Sequence, residues 1–249
     1  MRIAAVCVAV LLAAPLAGAE GTFVDLLESG SATQVLGAVH AGADVHQSDR
    51  AGETPLMVAS ARNPDPLVVM VLLAAGASVQ ERDWIGLTPL MYAVSRNPVA
   101  GVAQALIRAG ASVEDRDSMG TTVLIHAAQS SGSADVIAVL LAAGARVDEP
   151  DTGGMTPLMH AAEDNPVPAV AQALLAAGAR VNARNVTGMT PLLFAAEMSK
   201  NPAVVRLLLQ SGADPAARSP SGDTAETLAR RNPALRETDA ADALAGSPE

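Results

Sequence analysis

His126 and His160 are the pair of side chains in this chain best suited to metal or proton chemistry. They stand 34 residues apart, and Tyr92 and Phe194 extend the same step on either side. A shared metal needs its ligands within about 2 Å of one ion. Equivalent positions on neighbouring packed helices lie about 8–10 Å apart, so the two imidazoles are read as lining a groove. His40 and His46 are read as surface residues. The acidic pairs Asp148-Glu149 and Glu163-Asp164 are read as solvated loop and helix-end charges. Glycoside chemistry would need two carboxylates facing each other across a cleft. The chain carries no Gly-rich phosphate loop, nucleophile elbow or His-Glu metal motif. Its one cysteine, Cys7, allows neither an internal disulfide nor a Cys-based metal site. No catalytic residue, cofactor or metal is therefore expected. Recognition chemistry remains, centred on Trp84, the one tryptophan, with Ile85, Leu87 and Tyr92 beside it. Exposed Trp and Tyr are typical binding hot spots.

The elements that carry these residues recur. Gly52, Gly86, Gly120, Gly154, Gly188 and Gly222 follow one another every 34 residues. Each has a threonine two positions later, from Thr54 to Thr224. A second series, Gly42, Gly76, Gly110, Gly144, Gly178 and Gly212, keeps the same step. A period of 20–50 residues marks stacked supersecondary units rather than one globular core. Each unit opens with Asp, Asn or Ser and a glycine turn, and then its threonine caps a helix. Pro55, Pro89, Pro157 and Pro191 occupy the first helical position. Asn63-Pro64, Asn97-Pro98 and Asn165-Pro166 end this first helix. There the asparagine is expected to take a left-handed conformation and the proline to stop the helix. A second, more apolar helix follows, such as Val68, Val69, Val71, Leu72 and Leu73. It closes at Gly76-Ala77. Neither helix can bury its apolar face alone, so the units must stack.

The chain resembles the ankyrin-repeat family. The resemblance rests on Gly-x-Thr-Pro-Leu at 52–56, 86–90, 154–158 and 188–192, and on Leu-Leu-x-x-Gly-Ala at 72–77, 140–145 and 174–179. Ala127-Ala128, Ala161-Ala162 and Ala195-Ala196 of the first helices complete it. It implies an all-α solenoid of about seven helix-turn-helix units with β-hairpin-like loops. The units are read as 20–48 (a capping repeat), 49–82, 83–116, 117–150, 151–184, 185–218 and 219–249 (a capping repeat with tail). The last unit is expected to carry a charged second helix with Arg236, Glu237, Asp239 and Asp242. Two departures stand out. The step is 34 rather than the family's usual 33, the extra residue falling between the helices. The histidine that usually follows Thr-Pro-Leu is replaced by Met57, Met91, Met159 and Leu193, with Ile125 in the weaker unit. Packing by methionine is expected to compensate.

The resemblance also implies protein–protein recognition by the hairpin tips and the concave face of the first helices. The candidate contact residues are Trp84, Ile85, Leu87, Tyr92, Met119, His126, Met155, His160, Met189 and Phe194. Trp84, Ile85, Leu87 and Tyr92 are expected to form an apolar group with no structural duty in the repeat, which Met119, Met155 and Met189 extend.

Composition bounds the partner. The net charge is −10 and aromatics are 2% of the chain. Such acidity repels phosphate backbones and anionic lipid, so a protein partner is expected, not nucleic acid or membrane. Arg2, the apolar run Ile3 to Ala14, Pro15 and the small residues Leu16 to Ala19 read as an export signal, 1–19, cut after Ala19. A periplasmic or secreted monomer is expected, acting as a scaffold or modulator. The alternatives are a secreted effector that binds a host protein and, from another class, a subunit of an enzyme complex. Asn185-Val186-Thr187 is a glycosylation sequon, relevant only in a eukaryotic secretory pathway.

Overall fold

The computed structural model describes residues 22–245. The export signal and the last four residues lie outside them. Fourteen helices follow in chain order among the described residues: α1 (Phe23–Ser29), α2 (Ala32–His40), α3 (Pro55–Arg62), α4 (Pro66–Ala74), α5 (Pro89–Arg96), α6 (Ala100–Arg108) and α7 (Val123–Ser130). The second half continues with α8 (Ala134–Ala142), α9 (Pro157–Glu163), α10 (Pro168–Ala176), α11 (Pro191–Met198), α12 (Pro202–Gln210), α13 (Ala225–Arg231) and α14 (Asp239–Ala245).

Helices of seven to nine residues fall short of the 12–15 that make an isolated helix even marginal in water. Their stability comes from caps and stacking. In each first helix the threonine sits in extended conformation and its hydroxyl accepts the N–H three residues on, as Thr54 does from Met57 at 3.3 Å. Such a cap contributes about 1 kcal/mol. Proline at the next position loses no hydrogen bond, because that N–H would be unpaired in any case.

The odd-numbered helices pack side by side in one layer, α1 on α3 through to α13, and the even-numbered helices form the second. Between the layers Leu56, Leu90, Leu124, Leu158 and Leu192 are buried, as are Val68, Val102, Val136, Val170 and Val204. Each leucine removed from water contributes about 1.5–3 kcal/mol. The turn glycines of both series have positive φ, Gly52 at +83° and Gly76 at +98° among them, where a side chain would be strained.

The methionines do more than fill space. Met57, Met91 and Met159 are fully buried. In two units the sulfur also accepts the threonine's own N–H, from Thr54 to Met57 Sδ and from Thr156 to Met159 Sδ, each at 3.4 Å. A thioether thus stands in, weakly, for the missing imidazole.

The inter-helix asparagines differ from expectation. No non-glycine residue has positive φ among the described residues, and Asn63 lies at φ −84°, ψ 123°. The following proline forces this extended geometry. The buried amide is a staple. Asn97 Nδ2 donates to the carbonyls of Ser60 (3.1 Å) and Asn63 (2.7 Å) in the preceding unit, and its Oδ1 accepts the N–H of Val99. Asn63, Asn165 and Asn232 repeat the pattern. In the last unit α14 starts at Asp239, so Arg236 and Glu237 lie in the turn before it.

Candidate protein-binding surface

Each tip is built by the residue that opens its unit. Asp83 Oδ1 accepts the N–H groups of Ile85 (3.0 Å) and Leu87 (2.8 Å), closing the hairpin. Asp49, Asp117, Asp151 and Asn185 do the same in their units. Neighbouring tips join through main-chain bonds. The Trp84 N–H donates to the Ala51 carbonyl (3.3 Å), Ser118 to Ile85 (3.0 Å) and Val186 to Gly153 (3.2 Å). A row of arginines supports the tips from beneath: Arg82 donates to the carbonyls of Gly86 and Arg116, and Arg116 to those of Gly120 and Pro150. Arg184 and Arg218 reach the glycine carbonyl of their own tips. This row had a sequence signal, arginine at 82, 116, 184 and 218 on the repeat period, that the tip-centred reading missed.

The second carboxylate oxygen of the opening aspartate faces the first helix. Asp117 Oδ2 lies 3.0 Å from His126 Nε2, and Asp151 Oδ2 lies 2.9 Å from His160 Nε2. The Tyr92 hydroxyl stands 2.8 Å from Asp83 Oδ2 and 2.9 Å from Glu53 Oε1, and donates its one proton to that pair. These three side chains are locks between tip and helix. Burial, then the hydrogen bonds to Asp83 and Glu53, push the Tyr92 hydroxyl well above the ordinary phenol range. Burial depresses His126 below the usual imidazole value despite Asp117 beside it. A neutral His126 that donates from Nε2 satisfies this geometry. His160 has the same arrangement, and its Nδ1 is buried with no hydrogen-bond partner in the protein.

The expectation that Tyr92 has no structural duty is corrected. It is 3% exposed, packs with Met57 and Ala61, and carries the Arg96 guanidinium 5.0 Å above its ring. Met189 is buried in the core, and Leu87 and Met155 are half-buried beneath the tips. The apolar track is therefore not continuous. What projects is Trp84 (78% exposed), Ile85 (60%) and Met119 (74%), joined by Val186 (75%), which the candidate set omitted. Trp84 does not fold onto its own hairpin. Its ring reaches over Gly52 of the preceding tip, where a β-carbon would meet Trp84 Cδ1 at 2.9 Å. His126, His160 and Phe194 are partly exposed on the first-helix face.

Phe194 interrupts the row of locks, because Asn185 and Phe194 make no such bond. Beside it a groove of about 670 Å³ opens between α11 and α13, lined by Met189, Phe194, Glu197, Asp223, Leu228 and Arg231. No helix among the described residues is long and apolar enough to cross a membrane.

A family model described as ankyrin repeats (3 copies) matches residues 23–117, 69–151 and 124–219. No curated protein sequence matches the chain. Among solved structures, the human ASB11 ankyrin repeat domain superposes with a TM-score of 0.74 at 22% identity, covering 92% of this chain and 100% of that one. The ankyrin repeat domain of Bcl-3, a member of the IkappaB protein family, gives 0.65 at 27%, with 90% and 97% covered. Repeats of this kind are in general protein–protein interaction modules, and the matches span nearly all of the described residues. The chain belongs to the ankyrin-repeat family.

Proposed function

We propose that this chain is a non-enzymatic binding protein that holds a protein partner with its hairpin tips and first-helix face, as a scaffold or modulator. The observation that carries the reading is the exposure of Trp84, Ile85 and Met119 on tips whose folding needs none of them. Hydrogen bonds of Asp83 and Asp117 and glycines at positive φ build those tips, so large apolar side chains there are spare for recognition. The test is comparative capture from the native compartment with the wild-type chain and with Trp84→Ala/Ile85→Ala/Met119→Ala. The reading expects a partner retained by the first and lost by the second, with both equally helical by circular dichroism. Equal retention overturns it.

The proposed setting is the periplasm or the exterior of a bacterial cell, and the export-signal pattern of residues 1–19 supports it. Fractionation with mass measurement of the mature N-terminus checks this. The expected species begins at Glu20 and is found outside the cytoplasm. Recovery only from medium or host would favour the secreted effector.

A further inference from the structure

The C-terminal end of the first-helix face carries a run of carboxylates. Position by position along the repeat, Gln129, Glu163, Glu197 and Arg231 succeed one another on α7, α9, α11 and α13. Gln129 donates to Asp164. Arg231, the arginine in the groove, is already held by Asp223 at 3.0 Å. Among the described residues no lysine or arginine bonds to Glu163 or Glu197. The like charges are felt: burial first, then Asp164, with Glu197 and Asp151 adding, raises Glu163 above the usual carboxylate range. The neighbouring His160, which partly offsets this, is engaged by Asp151.

Of these carboxylates Glu197 lines the groove, together with the apolar side chains of Phe194, Met189 and Leu228. The groove opens where the unit has exchanged the aspartate lock for Asn185 and Phe194, and both line it. A volume of about 670 Å³ is far more than one side chain needs, in a groove that is open to solvent.

Building on the protein-binding reading, we propose that this groove takes a basic, apolar segment of the partner. An apolar side chain rests on Phe194, and flanking lysine or arginine side chains meet Glu197, Glu163 and Asp164. Charge complementarity selects the occupant. An acidic segment would add to uncompensated repulsion, and a basic one relieves it. A net charge of −10 favours the approach of a cationic segment to the chain as a whole.

The test uses three fluorescein-labelled peptides with Gly-Ser flanks and the full chain, read by fluorescence anisotropy. The first carries Lys-Leu-Lys-Phe-Lys, the second replaces each lysine by glutamate, and the third replaces leucine and phenylalanine by serine. The first alone is expected to bind. Glu163→Gln/Glu197→Gln should weaken it about fivefold, in keeping with two solvent-screened ion pairs. Glu81→Gln/Glu114→Gln, an equal charge change elsewhere, should leave it unaltered. Absence of binding by the first peptide, equal binding by the second or third, or equal weakening by the control pair overturns the inference. A natural partner whose capture depends on Trp84, Ile85 and Met119 but not on Glu163 and Glu197 would sink this inference and leave the binding function standing. Dependence on neither set would sink both.

Discussion

Tyr92, His126 and His160 share one position and one task, which changes what the row means. Nine residues earlier stands the aspartate that folds the tip, and each ring ties that tip to its helix. The sequence held this pairing as Asp83 with Tyr92, Asp117 with His126 and Asp151 with His160, against Asn185 with Phe194. It was illegible as a bond because Asp49 faces Val58, and because the contact forms only once the hairpin turns back on the helix. Trp84 was easier to read, since a large apolar ring in a glycine turn has no inward route. The lock has a pH consequence. The His126 value is lowered in the fold, so the unfolded chain binds its proton more readily and stability rises with pH between the two values. The contribution is complete above the unfolded value, about 6.5, and is lost as pH falls through the lower folded value. His126→Gln keeps an N–H donor for Asp117 but does not titrate. The stability of wild type relative to this variant should therefore fall below pH about 6.5, by at most about 1.4 kcal/mol per pH unit. Paired urea titrations across the acid range measure it. Parallel curves would show that His126 is not held neutral by burial.

The inter-helix turn shows how one inserted residue becomes a structural device. The Asn-Pro signature and its place after the first helix were legible, but the role of the asparagine was not. Local preference offered a left-handed cap, whereas proline restriction and the carbonyls of the preceding unit favoured an extended staple. Two turns lack it. Ser131 and Ser199 accept N–H groups within their own turns, from Ser133 and Asn201, but are too short to reach the previous unit. At the second, Asn201 partly substitutes by donating to the Pro166 carbonyl at 3.0 Å. No such substitute serves Ser131. Asn97→Ala should cost about 2 kcal/mol, because it strands the buried carbonyls of Ser60 and Asn63. Ser131→Asn should gain about 1 kcal/mol by extending the same two bonds to the carbonyls of Val94 and Asn97. Urea midpoints at constant slope check both. If Asn97→Ala is neutral, the side chain is capping its own turn and not stapling the stack.

The whole molecule has no single centre, and its periodicity made that legible from the outset: glycine, threonine and leucine on one step can only build units that touch their neighbours. Its ends were less legible, because capping units break the pattern that reveals the others; the late start of α14 is one result. In such a stack a local injury should spread by interface and not through a common core. Leu27 in the first unit and Leu124 in the middle are both almost wholly buried, at 1% exposure, so truncation should remove similar energy, about 2–5 kcal/mol in each case. Their reach should differ. Leu27 lies in α1, which packs on α3 and has no helix on its other side among the described residues. Leu124 lies in α7, held between α5 and α9. Hydrogen exchange in Leu27→Ala should therefore quicken from α1 to α4 and leave α9 to α12 protected. In Leu124→Ala it should quicken on both flanks, from α5 to α10. The contrast follows from nearest-neighbour coupling alone. Uniform acceleration across all units by Leu27→Ala would mean that the stack unfolds as one cooperative body. A partner spanning the tips from Trp84 to Val186 would then meet a rigid platform, and not a row of units able to adjust one interface at a time.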